Sequence, residues 1–282
     1  MSPESATPLV PADQGASDVT PAANVSLSTT SFAGGIPIGT FALPVSTYGS
    51  RYNGGSRNPS PSGVLHDLAD IKARGGRVVL NLSGNPRYFK DASGHFSLDK
   101  WKQRVARFKG VNLSTYINDG TIIGHFLLDE PNDPANWNGR PVSSSTVDQM
   151  AQYSKQLWSG LTTIVRTEPS YFGTVHYLDA AWAQYVYRKG SADNYISRNV
   201  NDARNRGLQL VIGMNLLKGG PNGSKMSASE IKSWGTTLLN NSYSCAFISW
   251  TYDDNYLSNS SVKDAMDALR NKAENHSSKS CR

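Results

Sequence analysis

Two cysteines in 282 residues are too few for a disulfide scaffold, and neither sits in a CxxC pair or any other zinc spacing. The five histidines form no His-x-His pair, which counts against a metal-dependent hydrolase. No GxSxG elbow appears, so a serine hydrolase of that design is not expected. No apolar run approaches the roughly 18 residues needed to cross a bilayer. No basic segment followed by an apolar core reads as a signal peptide. Nothing points to a bound metal or cofactor.

Acidic residues are outnumbered, 22 against 28 Lys and Arg, for a net charge of +6. The cations are dispersed, however. Lys100, Lys102, Arg104, Arg107 and Lys109 share one predicted helix, and Lys72, Arg74 and Arg77 end another. These read as solvated faces rather than the concentrated stripe of a nucleic-acid binder. Neither nucleic acid nor membrane is an expected partner. Cys281 lies on a polar tail next to the chain's end. A Cys245–Cys281 bond could pin that tail beside the last strand in an oxidising compartment; two unrelated thiols are the alternative.

What the chain has is length and aromatics. With 6 Trp and 13 Tyr it is well supplied with flat faces for stacking on rings. Residues 1–35 are rich in Ser, Thr, Ala, Pro and Gly and hold almost no large apolar side chains. They read as a disordered tail or linker. Residues 36–282 are long enough for one barrel-sized domain.

From residue 36, strand-like and helical segments alternate. Strands are expected at 38–45, 77–83, 121–128, 163–167, 178–185, 208–215 and 246–252. Helices are expected at 63–74, from Ser97 to Gly110, and at 145–161, 192–206, 227 onward and 262–273. Ser227-Ala-Ser-Glu230 has the pattern of a capping box. Alternation of this kind implies a parallel sheet with helices outside. An eighth strand, sought in Val111–Tyr116, would close a (β/α)8 barrel. A doubly wound sheet is the runner-up, but the first strand leads into no GxGxxG turn.

The most informative stretch is Thr121–Pro131, an apolar run ending in Asp129, Glu130 and a strand-terminating proline. Extended alternation would point the two carboxylates in roughly opposite directions. The other strand ends contribute amides, carboxylates and aromatics, which suit sugar hydroxyls and the apolar faces of sugar rings. Glu168, like Glu130, is followed by proline at a strand end. Two carboxylates facing each other across a cleft are what glycosidic bond cleavage needs.

Asp129-Glu130-Pro131 resembles the Asn-Glu-Pro that carries the catalytic acid of many barrel glycoside hydrolases. Phe247-Ile-Ser-Trp250 is similar to their last strand, which often ends in a sugar-stacking Trp. The resemblance implies a TIM-like barrel, regular or irregular, that cleaves a poly- or oligosaccharide. A secreted or extracytoplasmic protein is expected, with a cytoplasmic one as the alternative. A monomer with a carbohydrate partner is the expected state. It implies Glu130 as acid. The second carboxylate, base or nucleophile, is read from this chain's own strand ends as Glu168, or in its place Asp253 or Asp254 after the last strand, or it is absent. Asp129 would orient its neighbours. Asn81, Asn132, Gln184 and Asn215 would bind hydroxyls, and Tyr48, Trp182, Trp250 and Tyr252 would stack on rings. One departure stands out: the seventh strand, which usually carries the nucleophile, ends in Met214-Asn215 with no carboxylate.

Rival readings attach to the same residues. Glu130 could serve structurally in an ion pair with Arg166. Asp253-Asp254-Asn255 could be only a turn leading into a helix. A carbohydrate-binding barrel without catalysis fits the missing carboxylate. A lysine aldolase using Lys218 and the following Gly-rich loop is a further alternative.

Overall fold

A computed structural model describes residues 34–282, Ser50 and Ser278 excepted. The tail expected over 1–35 lies outside these residues, save Gly34 and Gly35. The strands are β1 (Ile38–Thr40), β2 (Gly54–Arg57), β3 (Arg77–Leu80), β4 (Ile122–Asp129), β5 (Thr163–Arg166), β6 (Ala180–Tyr185), β7 (Gln209–Met214) and β8 (Ser244–Ser249). Each pairs in parallel with its successor, and β8 pairs with β1, so the sheet closes into a (β/α)8 barrel.

The helices are α1 (Val64–Ala73), α2 (Leu98–Ala106), α3 (Ser114–Asn118), α4 (Ser144–Leu157), α5 (Ala192–Asn205), α6 (Ala228–Leu238), α7 (Asp254–Leu257) and α8 (Ser260–Glu274). Their starts follow local chemistry. The Ser97, Ser143 and Ser191 side chains each accept a hydrogen bond from a first-turn N–H. Ser227 and Glu230 complete the capping box at α6.

The eighth strand is not where the sequence placed it. Residues 111–116 form a loop and the start of α3, because Leu113 and Ser114 turn helical. The missing strand is β2, whose sequence Gly-Gly-Ser-Arg carries no strand signal. Its glycines answer to crowding. A Cβ on Gly39 would lie 1.8 Å from the Gly54 carbonyl oxygen, and one on Gly54 would lie 2.7 Å from Pro37 Cβ. The first strand is also shorter than expected, since Leu43-Pro44 turns away into a 3₁₀ segment.

Strand alternation divides the core in two. Val79, Ile164, Trp182, Val211 and Ile248 fill the barrel interior with Phe126. Their neighbours Val78, Leu80, Val165, Ala183 and Ile212 pack outward against helix residues such as Val64, Leu68 and Leu269. Cys245 belongs to the interior and is disulfide-bonded to Cys281, with Cα atoms 5.1 Å apart. Ser280, Cys281 and Arg282 thereby sit beside Ile123 and Thr162 at the N-terminal mouth. The opposite mouth is left open. No helix among the described residues is long and apolar enough to cross a membrane.

Candidate active site

The C-terminal mouth holds two cavities that share Glu130 and Arg166. The smaller, about 300 Å³, is also lined by Asn132, Glu168, Tyr171, Gln184 and Lys189. The larger, about 830 Å³, reaches past Asp129 to Arg188, Asn215, Lys218 and Trp250. This is the face on which barrel enzymes assemble their catalytic residues.

Glu130 enters the site through a bend in the chain. Its φ is 41°, in the left-handed region that a residue with a Cβ rarely adopts. The bend is held on both sides. Glu130 N–H donates to the Arg166 carbonyl at 2.9 Å, while its own carbonyl accepts from Asp133 N–H and from the Trp137 indole, both at 3.1 Å. Asp129 and Glu130 therefore do not diverge as extended alternation predicts. Both reach Arg166 at the end of β5: Asp129 pairs with its Nε, and Glu130 Oε1 lies 3.6 Å from its Nη2. Asp129 and Arg166 are also register partners across β4 and β5. The Arg166 side chain is 8% exposed against 44% for Glu130, so the arginine forms the floor and the glutamate stands in the cleft.

Glu168 follows β5 and opens a 3₁₀ turn, Pro169–Tyr171. Its carboxylate is bracketed by two cations. Lys189 Nζ lies 2.6 Å from one oxygen, and Arg198 Nε 3.6 Å from the other. Both cations lie over the ring of Tyr195, a buried tyrosine of α5. Burial, reinforced by the Glu168 charge, raises the Tyr195 hydroxyl well above the usual tyrosine range. The sequence reading missed Lys189 and Arg198 as partners of Glu168. Lys189 stands just past the end of β6, so a fuller inventory of strand ends would have included it.

The remaining expected residues separate into groups. Asn132 lines the smaller cavity and accepts a hydrogen bond from Thr167 Oγ1 at 2.7 Å. Gln184 lines it too, but its amide is spent on β8, donating to the Ile248 carbonyl at 3.0 Å and accepting from Trp250 N–H at 3.3 Å. Asn215 and Trp250 line the larger cavity. Asn215 stands at the end of β7, and its carboxamide accepts from Lys218 N–H at 3.0 Å.

Trp182 also borders the smaller cavity, yet it is 0% exposed and its indole donates to the Ile248 carbonyl at 2.9 Å. Interior strand parity sets its position. Others lie away from the cleft. Tyr48 is buried in the outer core against Gly55 and Gly76. Asn81 shapes the loop after β3 by accepting from Ser83 Oγ and Gly84 N–H. Tyr252 donates its hydroxyl to Asp254 at 2.8 Å, and neither residue lines either cavity. Asp253 caps α7 through Tyr256 N–H, so this acidic pair is a helix lead-in. Lys218 is exposed on the rim, without the enclosure that activates a Schiff-base lysine.

Comparison with known proteins finds the same barrel fold in several solved structures. A GH18 chitinase from Pseudoalteromonas aurantia superposes with a TM-score of 0.52 at 12% identity, over 83% of this chain and 99% of the chitinase. Xylanase 10B from Thermotoga petrophila RKU-1, solved with xylobiose, gives 0.52 at 9% identity over 86% and 95% of the two chains. The exo-beta-1,4-mannosidase Op5Man5 from Opitutaceae bacterium strain TAV5 gives 0.53 at 13% identity, over 83% of this chain and 55% of the mannosidase. At such identities the likeness is one of fold alone. Neither a family model nor a curated protein matches the sequence.

Proposed function

We propose that residues 36–282 act as a single glycoside hydrolase-like domain that cleaves glycosidic bonds in a poly- or oligosaccharide. One observation carries this reading: Glu130 and Glu168 line the same cavity at the barrel's C-terminal mouth. Glu168, held between Lys189 and Arg198, suits the anionic role of base or nucleophile. Glu130 suits the proton donor. Arg166 is engaged by Asp129 through Nε, and its 3.6 Å approach to Glu130 exceeds a hydrogen bond. Asn132 and Asn215 supply polar contacts, and Trp250 a ring face. The Cys245–Cys281 bond supports a secreted or extracytoplasmic site of action.

A second reading, carbohydrate binding without cleavage, draws on the tight Glu168–Lys189 pair and on Asn215 at the end of β7, where no carboxylate stands. One experiment separates the two. Purified protein and Glu130→Gln are incubated with a broad polysaccharide panel, and released reducing ends are counted. The hydrolase reading expects release by the native protein and none by the variant, with ligand binding kept. Retention of a glycan with no release across the panel supports the binding module. Equal release by both proteins removes Glu130 from the chemistry.

A further inference from the structure

The two cavities flanking Glu130 differ in charge. In the smaller one Lys189 is already neutralised by Glu168. In the larger one Arg166 is matched by Asp129 and Glu130. That leaves Arg188 and Lys218, both exposed and neither in an ion pair with any described residue. They are not loose surface charges. Arg188 lies in the 3₁₀ turn Tyr187–Lys189 after β6, and Lys218 in the loop after β7. The Tyr187 N–H donates to the Gly219 carbonyl at 2.8 Å, tying these two loops together one residue from each cation. The Tyr187 ring stacks on Trp234 of α6 with centroids 5.8 Å apart, which anchors the pair to the barrel's outer layer.

The geometry points to an anionic sugar unit, carrying a carboxylate or sulfate, as the occupant of the larger cavity. The inference rests on the carbohydrate reading of this cleft and deepens it. A neutral glycan laid over Arg188 and Lys218 would strip water from two cations and return no charge to them. A carboxylate or sulfate on the ring returns charge-assisted hydrogen bonds. A volume of about 830 Å³ is ample for such a unit. Trp250 at the cavity wall gives the ring a face to lie on, and Asn215 a partner for its hydroxyls.

The test measures binding, so it does not require cleavage. Glu130→Gln is titrated with short oligogalacturonates and with their methyl esters, which trade each negative charge for a methyl group. A sulfated dextran and its unsulfated parent form the second arm. The expected result is about tenfold tighter binding of the charged member of at least one pair at physiological salt, from two added charge contacts. Uronate preference identifies a carboxylate ligand, and preference for the sulfated dextran alone identifies a sulfate. Arg188→Gln with Lys218→Gln should erase the preference. Lys109→Gln with Lys232→Gln, the same charge change at exposed positions lining neither cavity, should leave it intact. The inference is overturned if neither pair shows a preference, or if the remote variant erases it equally. Binding and cleavage of neutral glycans alone would sink this inference while sparing the hydrolase reading. Tight anionic binding with no cleavage by the native protein would do the reverse.

Discussion

The Arg166 guanidinium carbon lies 4.4 Å from the centre of the Trp250 ring, so β5 and the chain following β8 meet across the barrel mouth through a cation–π contact. The same guanidinium pairs with Asp129 and approaches Glu130. One buried side chain thus ties the fourth, fifth and eighth strand ends together and sets the floor on which the cleft residues stand.

Removing Arg166 should therefore cost more than a surface ion pair. Arg166→Met leaves Asp129, only 27% exposed, without its partner. The loss should be about 2–3 kcal/mol in urea unfolding, below the range for a fully buried pair because Asp129 retains some water. Adding Asp129→Asn should restore part of it. Two losses that simply sum in the double variant would show that the pair is not coupled.

His125 makes the barrel acid-sensitive. It is fully buried between β4 and α4, stacked on Trp101, with Nδ1 2.9 Å from Ser154 Oγ. Burial lowers its pKa from 6.5 to about 3. The unfolded chain takes up a proton below about pH 6.5 that the folded protein refuses until about pH 3. Stability should fall as pH drops through that window, by about 1.4 kcal/mol per unit at the steepest. His125→Phe should flatten the stability profile between pH 6 and 4 by about one proton's worth. An unchanged slope would assign the acid sensitivity to other groups.

The Cys245–Cys281 bond closes a span of 36 residues. By chain entropy it should contribute about 4 kcal/mol. Cys281→Ser should show that loss on chemical denaturation. It should also speed hydrogen exchange at Ile122 and Ile123, which line one cavity with the C-terminal residues. Unaltered exchange there would mean that the tail stays seated without the bond.

The strands bordering the cleft were legible because they are apolar runs ended by Pro or by polar residues, as in β4 and β5. β2 was not, since its glycines serve close approach between strands rather than side-chain packing. That Glu130 and Glu168 border one cavity was readable from successive strand ends. The aim of Glu130 was not, because a φ of 41° depends on a hydrogen bond to the Arg166 carbonyl and on two from Asp133 and Trp137. Nor did local sequence tell a helix lead-in from a cleft carboxylate at Asp254. Its hydroxyl partner Tyr252 and the cap at Asp253 decide that in three dimensions.

Trp182 and Trp250 read alike in the sequence as ring platforms, yet their surroundings demand opposite outcomes. Trp182 is fully enclosed by Phe41 and Phe126 inside the barrel, with its indole hydrogen-bonded to β8. Trp182→Ala should cost about 3–5 kcal/mol, because the cavity it leaves has no route to collapse within a closed sheet. Trp250 has Phe41 on one side, 4.5 Å away between centroids, and also borders the open larger cavity. Trp250→Ala loses less packing but removes a ring face, so it should weaken glycan binding about tenfold, as expected for one aromatic contact at a binding site. Urea melts and glycan titrations on the two variants check both halves. If Trp250→Ala unfolds the protein as readily as Trp182→Ala while binding is untouched, Trp250 belongs to the core and the larger cavity lacks its platform.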